Sequence, residues 1–131
     1  MSKIYNIFIS HAWHRSEHYF KVVDWLNQSN IEWKNYSIPE HDPLDANSDR
    51  KLREKITRQI SSVSIVIIFA GMYVNHSQWI DYEIDEATRL GKYIVSVEPW
   101  GQERIPIKIQ QSAHETVGWN SASVLNAIKR V

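Results

Sequence analysis

Trp79 and Glu83 stand four residues apart in the stretch HSQWIDYEIDEA, residues 76–87, and the glutamate breaks an otherwise regular pattern. On a helix turning about 100° per residue, Trp79, Ile80, Ile84, Ala87 and Leu90 mark out one apolar arc, and Glu83 falls inside it, between Trp79 and Leu90. The other three acids of the stretch, Asp81, Asp85 and Glu86, fall on the exposed side or at its edge and read as surface charge. A carboxylate held among apolar side chains loses hydration, a cost that hydrogen bonds or a nearby cation must offset. Two readings stay open at this point. Glu83 pairs with a lysine, an arginine or the backbone amides of a neighbouring loop, or it is an active-site acid near the helix start, facing a substrate crevice.

The histidines are the next candidates for chemistry. His11, His14 and His18 lie close together, but there is no HExxH and no second ligand pair, so solvated or hydrogen-bonded histidines are the better expectation and no metal site is assigned. His11, directly after an apolar run, is a candidate ligand-facing group. The four glycines, at 71, 91, 101 and 118, form neither GxGxxG nor a phosphate-cradling Walker loop. With no cysteine, thiolate metal sites, disulfides and cysteine nucleophiles are excluded together.

The elements that must position these residues follow from hydrophobic spacing. Lys3 to Ile9 reads as a strand, and Tyr19, Phe20, Val22, Val23, Trp25 and Leu26 place a helix between Ser16 and about Asn27. A short strand covers Ile31 to Tyr36. The polar connection SIPEHDPLDANS, Ser37 to Ser48, is of a length that is usually functional or mobile. A helix follows in which Leu52, Ile56 and Ile60 face inward and Arg50, Lys51, Arg53, Lys55 and Arg58 face out. VSIVIIFA, Val63 to Ala70, is apolar without alternation, as in a parallel strand covered on both faces. The 76–90 helix and a strand from Tyr93 to Glu98 come next. After Pro99 the signal weakens to a short strand near Thr116 to Val117 and a last helix over Ser121 to Lys129, with Val124, Leu125 and Ile128 inward.

Strands alternating with helices predict an α/β, doubly wound, flavodoxin-like domain: a central parallel sheet of about five strands with helices on both faces. Ligands bind such sheets beyond the carboxyl ends of the strands, where strand order reverses. That gathers Ser10 to His14, Ser37 and the connection after it, and Gly71 to Trp79 around one crevice. A phosphoacceptor receiver shares the fold class but needs acids where this chain reads SHAW and FAGM.

Charge narrows the partners. Fifteen Lys plus Arg balance fifteen Asp plus Glu across 131 residues, which argues against nucleic acid or an anionic membrane as the main partner. The start MSKIYNIFIS lacks the apolar core of a secretory signal, so a cytoplasmic protein is expected.

These residues resemble the TIR domain, and within it the TIR-like proteins of bacterial Thoeris anti-phage defence. NIFISHAW is similar to the family's first strand and following loop, NYSIPEHDPLDANS to its second-strand end and BB loop, SVSIVIIFA to its central strand, and WIDYEI to a W-x-x-x-E-I signature whose glutamate is catalytic. The resemblance implies one TIR-like domain over residues 1–131, Glu83 as catalytic residue, Trp79 as its signature partner, and Ser10, His11, Ala12, Trp13 and Ser37 beside the substrate. The loop departs from many receptor-type relatives in having no glycine.

The activity implied is cleavage of the ribose–nicotinamide bond of NAD, taken as substrate with no separate cofactor, by an NAD glycohydrolase or ADP-ribosyl cyclase. Cationic nicotinamide is a good leaving group, so one carboxylate suffices where ordinary glycosidases use two. The family resemblance favours a cyclic ADP-ribose-type product that activates a separate effector protein, from a chain that is monomeric or assembled as a homo-oligomer. Two alternatives remain: a non-catalytic adaptor acting through homotypic contacts of the 37–48 connection and the basic helix, and a nucleoside deoxyribosyltransferase-like enzyme that also uses a glutamate.

Overall fold

The computed structural model describes residues 3–10, 17–38, 48–98 and 105–131. Five strands, β1 (Ile4–Ile9), β2 (Glu32–Asn35), β3 (Ile65–Phe69), β4 (Tyr93–Val97) and β5 (Glu115–Val117), form one sheet in the order β2-β1-β3-β4-β5, every neighbouring pair parallel. The helices are α1 (Glu17–Gln28), α2 (Ser48–Ser61), α3 (Tyr73–Arg89), α4 (Ile107–Ser112) and α5 (Ser121–Lys129). Right-handed crossovers in this strand order put α1 and α5 on one face and α2, α3 and α4 on the other. The packing agrees: α1 lies against α5, and α3 against both α2 and α4.

β3 is central and buried at every position, which explains why its sequence shows no alternation. The edge strand β2, EWKN, leaves three of its four residues exposed and carries Glu32 and Lys34 there, charges that discourage pairing with another chain. Leu52, Ile56 and Ile60 of α2 are buried as their four-residue spacing predicts, and Arg50, Lys51, Arg53, Lys55 and Arg58 are exposed. In α5, Val124 and Ile128 are buried together with Ala127, and Leu125 is half-buried; Asn120 caps the helix by accepting from the Ser123 N–H at 2.8 Å.

One boundary and one element differ from expectation. α3 begins at Tyr73, directly after a 3-10 turn over Ala70–Met72, and not at residue 76. Glu83 is therefore ten residues into the helix, in its third turn, and owes nothing to the partial positive charge of a helix start, which fades within the first turn. α4 went unpredicted because its six residues bury only Ile109, too short a stretch to show a period.

Candidate active site

The strand order reverses at β1 and β3; Ser10 directly follows the carboxyl end of β1, and Glu83 reaches it from α3. The Ser10 N–H donates to the Ile67 carbonyl at 2.8 Å, carrying the β1–β3 ladder one residue past the strand. Ile9 is in register with Ile67. Side chains alternate along a strand, so Ser10 projects on the opposite face from Ile9, toward α3. There its hydroxyl donates to Glu83 Oε1 at 2.8 Å. Both side chains are withdrawn from solvent, Ser10 at 1% exposure and Glu83 at 0%.

Glu83 thus lies where its helical phase puts it, in the buried strip that includes Ile80, Ile84 and Ala87. Complete burial of an ionisable carboxyl costs several kcal/mol unless donors compensate. Ser10 is one of its partners. Trp79, one turn earlier on the same side of α3, is half-buried. The Arg53 guanidinium of α2 lies over the Trp79 ring at 5.7 Å and the Tyr82 ring at 6.0 Å, a cation–π arrangement that ties the signature tryptophan to the neighbouring helix.

Ser37 closes the other side of β1. Its hydroxyl accepts from the Ile9 N–H at 2.9 Å, its own N–H donates to Asn35 Oδ1 at 2.9 Å, and Asn35 Nδ2 donates in turn to Tyr19 OH at 3.0 Å. The hydroxyl that receives the Ile9 N–H still has its own proton to donate. Of the residues named from the sequence, Ser10 and Glu83 meet in a hydrogen bond, Trp79 lies one turn before Glu83 on α3, and Ser37 bonds to Ile9 of β1; His11, Ala12 and Trp13 lie outside the described residues.

Two features escaped the sequence reading. Glu86, read as surface charge, is at the α2–α3 seam with its side chain only 14% exposed. Arg89 Nε donates to its Oε2 at 2.6 Å, and Thr57 Oγ1 and Tyr82 OH lie 2.9 and 3.0 Å from its Oε1. The Arg89 guanidinium, helped by the two hydroxyls, holds the Glu86 carboxyl below its ordinary value, while burial pushes the Tyr82 phenol up. The near-contact across helices involves Thr57, which no helical periodicity distinguishes from any other half-buried threonine. The second is Ser96 on β4, in register with Ile68 and fully buried on the α3 side of the sheet, with a hydroxyl that has no hydrogen-bond partner among the described residues.

A five-stranded, all-parallel, doubly wound sheet with helices on both faces defines the class: an α/β protein of a topology that binds ligands beyond the carboxyl ends of its strands, where strand order reverses. The chain belongs to the family of the Thoeris protein ThsB TIR-like domain, which matches residues 8–104 and so spans Ser10, Ser37, Trp79 and Glu83. Among solved structures, the fold is similar to that of the CMP N-glycosidase BcmB of Clostridium botulinum, with a TM-score of 0.59 and 16% identity over 95% of this chain and 98% of that one. No curated protein matches the chain. Among the described residues, no helix is long and apolar enough to cross a membrane.

Proposed function

We propose that the chain is an enzyme that breaks the N-glycosidic bond between ribose and nicotinamide in NAD, with Glu83 as the catalytic residue and a cyclic ADP-ribose-type nucleotide as the product. The observation that carries this reading is the fully buried Glu83 carboxyl, held by the Ser10 hydroxyl at the strand-reversal point of a ThsB-type TIR-like chain. Membership of the Thoeris family supports a role in anti-phage defence, where the product would reach a separate effector protein.

The chemistry asks for one well-placed anion. As the C1′–N bond breaks, its electron pair leaves with the pyridinium ring, which departs as neutral nicotinamide, and positive charge builds on the ribose as an oxocarbenium ion. Glu83 accepts a hydrogen bond from a ribose hydroxyl and faces that developing charge. A carboxylate held in a dry pocket does this better than one in water, because its hydration need not be rearranged as charge forms. Ser10 acts as a positioning residue by fixing the orientation of the carboxyl. If a nitrogen of the adenosine half, or a hydroxyl that sheds its proton to solvent, attacks C1′, the product is cyclic; if water attacks and sheds a proton, it is linear ADP-ribose. Ser37 and Trp79 would line the substrate side of the crevice.

The CMP N-glycosidase that shares the fold supports a second reading, in which a nucleoside monophosphate such as CMP is the substrate and the free base the leaving group. Chromatography of the products from NAD and, separately, CMP tests both. Nicotinamide release with an ADP-ribose-type product is expected. Base release from CMP with NAD left intact would replace the first reading by the second, and inertness toward both, under conditions where the chain self-associates, would favour an adaptor.

A further inference from the structure

On the α1/α5 side of the same strand ends, the structure builds a second concavity that the proposed chemistry leaves unused. Phe69 ends β3 on the face opposite to Ser10, since Ile67 and Phe69 alternate with the positions that meet α3. The His18 ring, in the first turn of α1, stands 5.8 Å from Phe69 and 5.1 Å from Trp119, in the segment joining β5 to α5. Trp119 packs in turn on Trp25 at 4.8 Å and Phe69 at 6.2 Å, so its indole is held from two sides. His18, Lys21 and Trp25 are spaced by three and four residues and share one side of α1.

Glu17, His18, Lys21 and Trp119 line a cavity of about 210 Å³. Pockets for whole drug-sized ligands run from about 300 to 1,000 Å³, so this one suits a single ring system and not a dinucleotide. Its walls are an imidazole and an indole, and its rim offers a carboxylate acceptor and an ammonium donor. A flat heteroaromatic ring carrying N–H groups and ring nitrogens satisfies all four at once, whereas an aliphatic side chain or lipid tail would leave Glu17 and Lys21 facing an apolar surface.

We infer that this cavity is a base subsite: it holds the purine ring of a nucleotide whose ribosyl end lies across β1 and β3 at Glu83. The inference rests on the reading of the chain as a nucleotide-cleaving enzyme, but its test does not depend on turnover. Trp119 is a direct reporter, and its indole N–H resonance in the full chain is assigned with Trp119→Phe, which keeps an aromatic ring in the cluster. Titration of the wild-type chain with AMP is expected to shift that resonance. Glu17→Gln and Lys21→Glu, both at exposed positions, are expected to weaken AMP binding, the latter by roughly tenfold, about 1.4 kcal/mol.

An unmoved Trp119 resonance at saturating AMP and NAD would overturn the subsite. Ribose 5-phosphate shifting it as strongly as AMP would overturn the assignment to a base, leaving a phosphate site at Lys21. A shift by AMP in a chain that fails to cleave NAD would leave the subsite standing and remove the proposed reaction, and cleavage without any shift would do the reverse.

Discussion

Glu83 and Glu86 are three residues apart on one helix and fill two unlike places. Glu86 lies along the seam with α2, where a guanidinium and two hydroxyls converge on it. Its carboxyl fastens α3 to α2, and part of it still meets solvent. Glu83 points into the sheet at the switch point, fully buried, and takes a hydrogen bond from a serine at the end of a strand that reaches the site from the far side of the sequence. The first arrangement makes sense as structure alone. The second removes a carboxyl from water at the place where this architecture binds ligands, which is why the proposed chemistry is assigned to it.

The largest expected effect comes from removing the buried pair outright. Ser10→Ala/Glu83→Leu removes both ends of the buried bond and with them the proposed catalytic carboxyl. The double variant is expected to lose all nicotinamide release, followed by chromatography. Ser10→Ala alone leaves the carboxyl in place but frees its orientation, and we expect kcat to fall about 10- to 100-fold, equivalent to about 1.4–2.8 kcal/mol, with KM little changed in steady-state rates.

Glu86→Gln should do the opposite: the rate stays and stability drops by about 1–2 kcal/mol, as for loss of a charge-assisted hydrogen bond. Because the folded-state value of Glu86 is lowered, its contribution is complete above its ordinary value near 4.5 and is lost as pH falls through the lowered folded value. Denaturant midpoints of wild type and Glu86→Gln should therefore converge on acidification. The smallest change is expected for Arg53→Ala, which removes the cation from the faces of Trp79 and Tyr82. A stability loss of about 0.5–1 kcal/mol is the usual worth of such a contact near the surface, accompanied by a modest rise in KM if Trp79 borders the substrate.

Much of this frame was legible in the sequence, and the reasons it was or was not are local. The helical phase of residues 79–90 singled out Glu83 because five apolar neighbours defined the arc it interrupts, and VSIVIIFA announced a doubly covered strand by its lack of alternation. The bond from Ser10 to Glu83 joins residues 73 apart; no periodicity carries such a pairing, and only parallel register brings the end of β1 beneath α3. Glu86 was misjudged for the same reason, since its partner Thr57 belongs to another helix. His18 and Trp119 were legible as residue types but not as neighbours, because β5 and the turn into α5 are too short to show a pattern. The start of α3 was placed three residues late because a 3-10 turn runs straight into it and leaves no capping signal at the join.

The central claim is that the Glu83 carboxylate performs chemistry and does not merely fill the core, and Glu83→Gln tests it most directly because it keeps shape and removes charge. Nicotinamide released from NAD should be followed by chromatography for wild type, Glu83→Gln and Glu86→Gln, each shown to be folded by near-UV circular dichroism. The account predicts release by wild type and Glu86→Gln and a loss of at least about 100-fold in Glu83→Gln, the scale of deleting one transition-state contact. Undiminished release by a folded Glu83→Gln protein would contradict it.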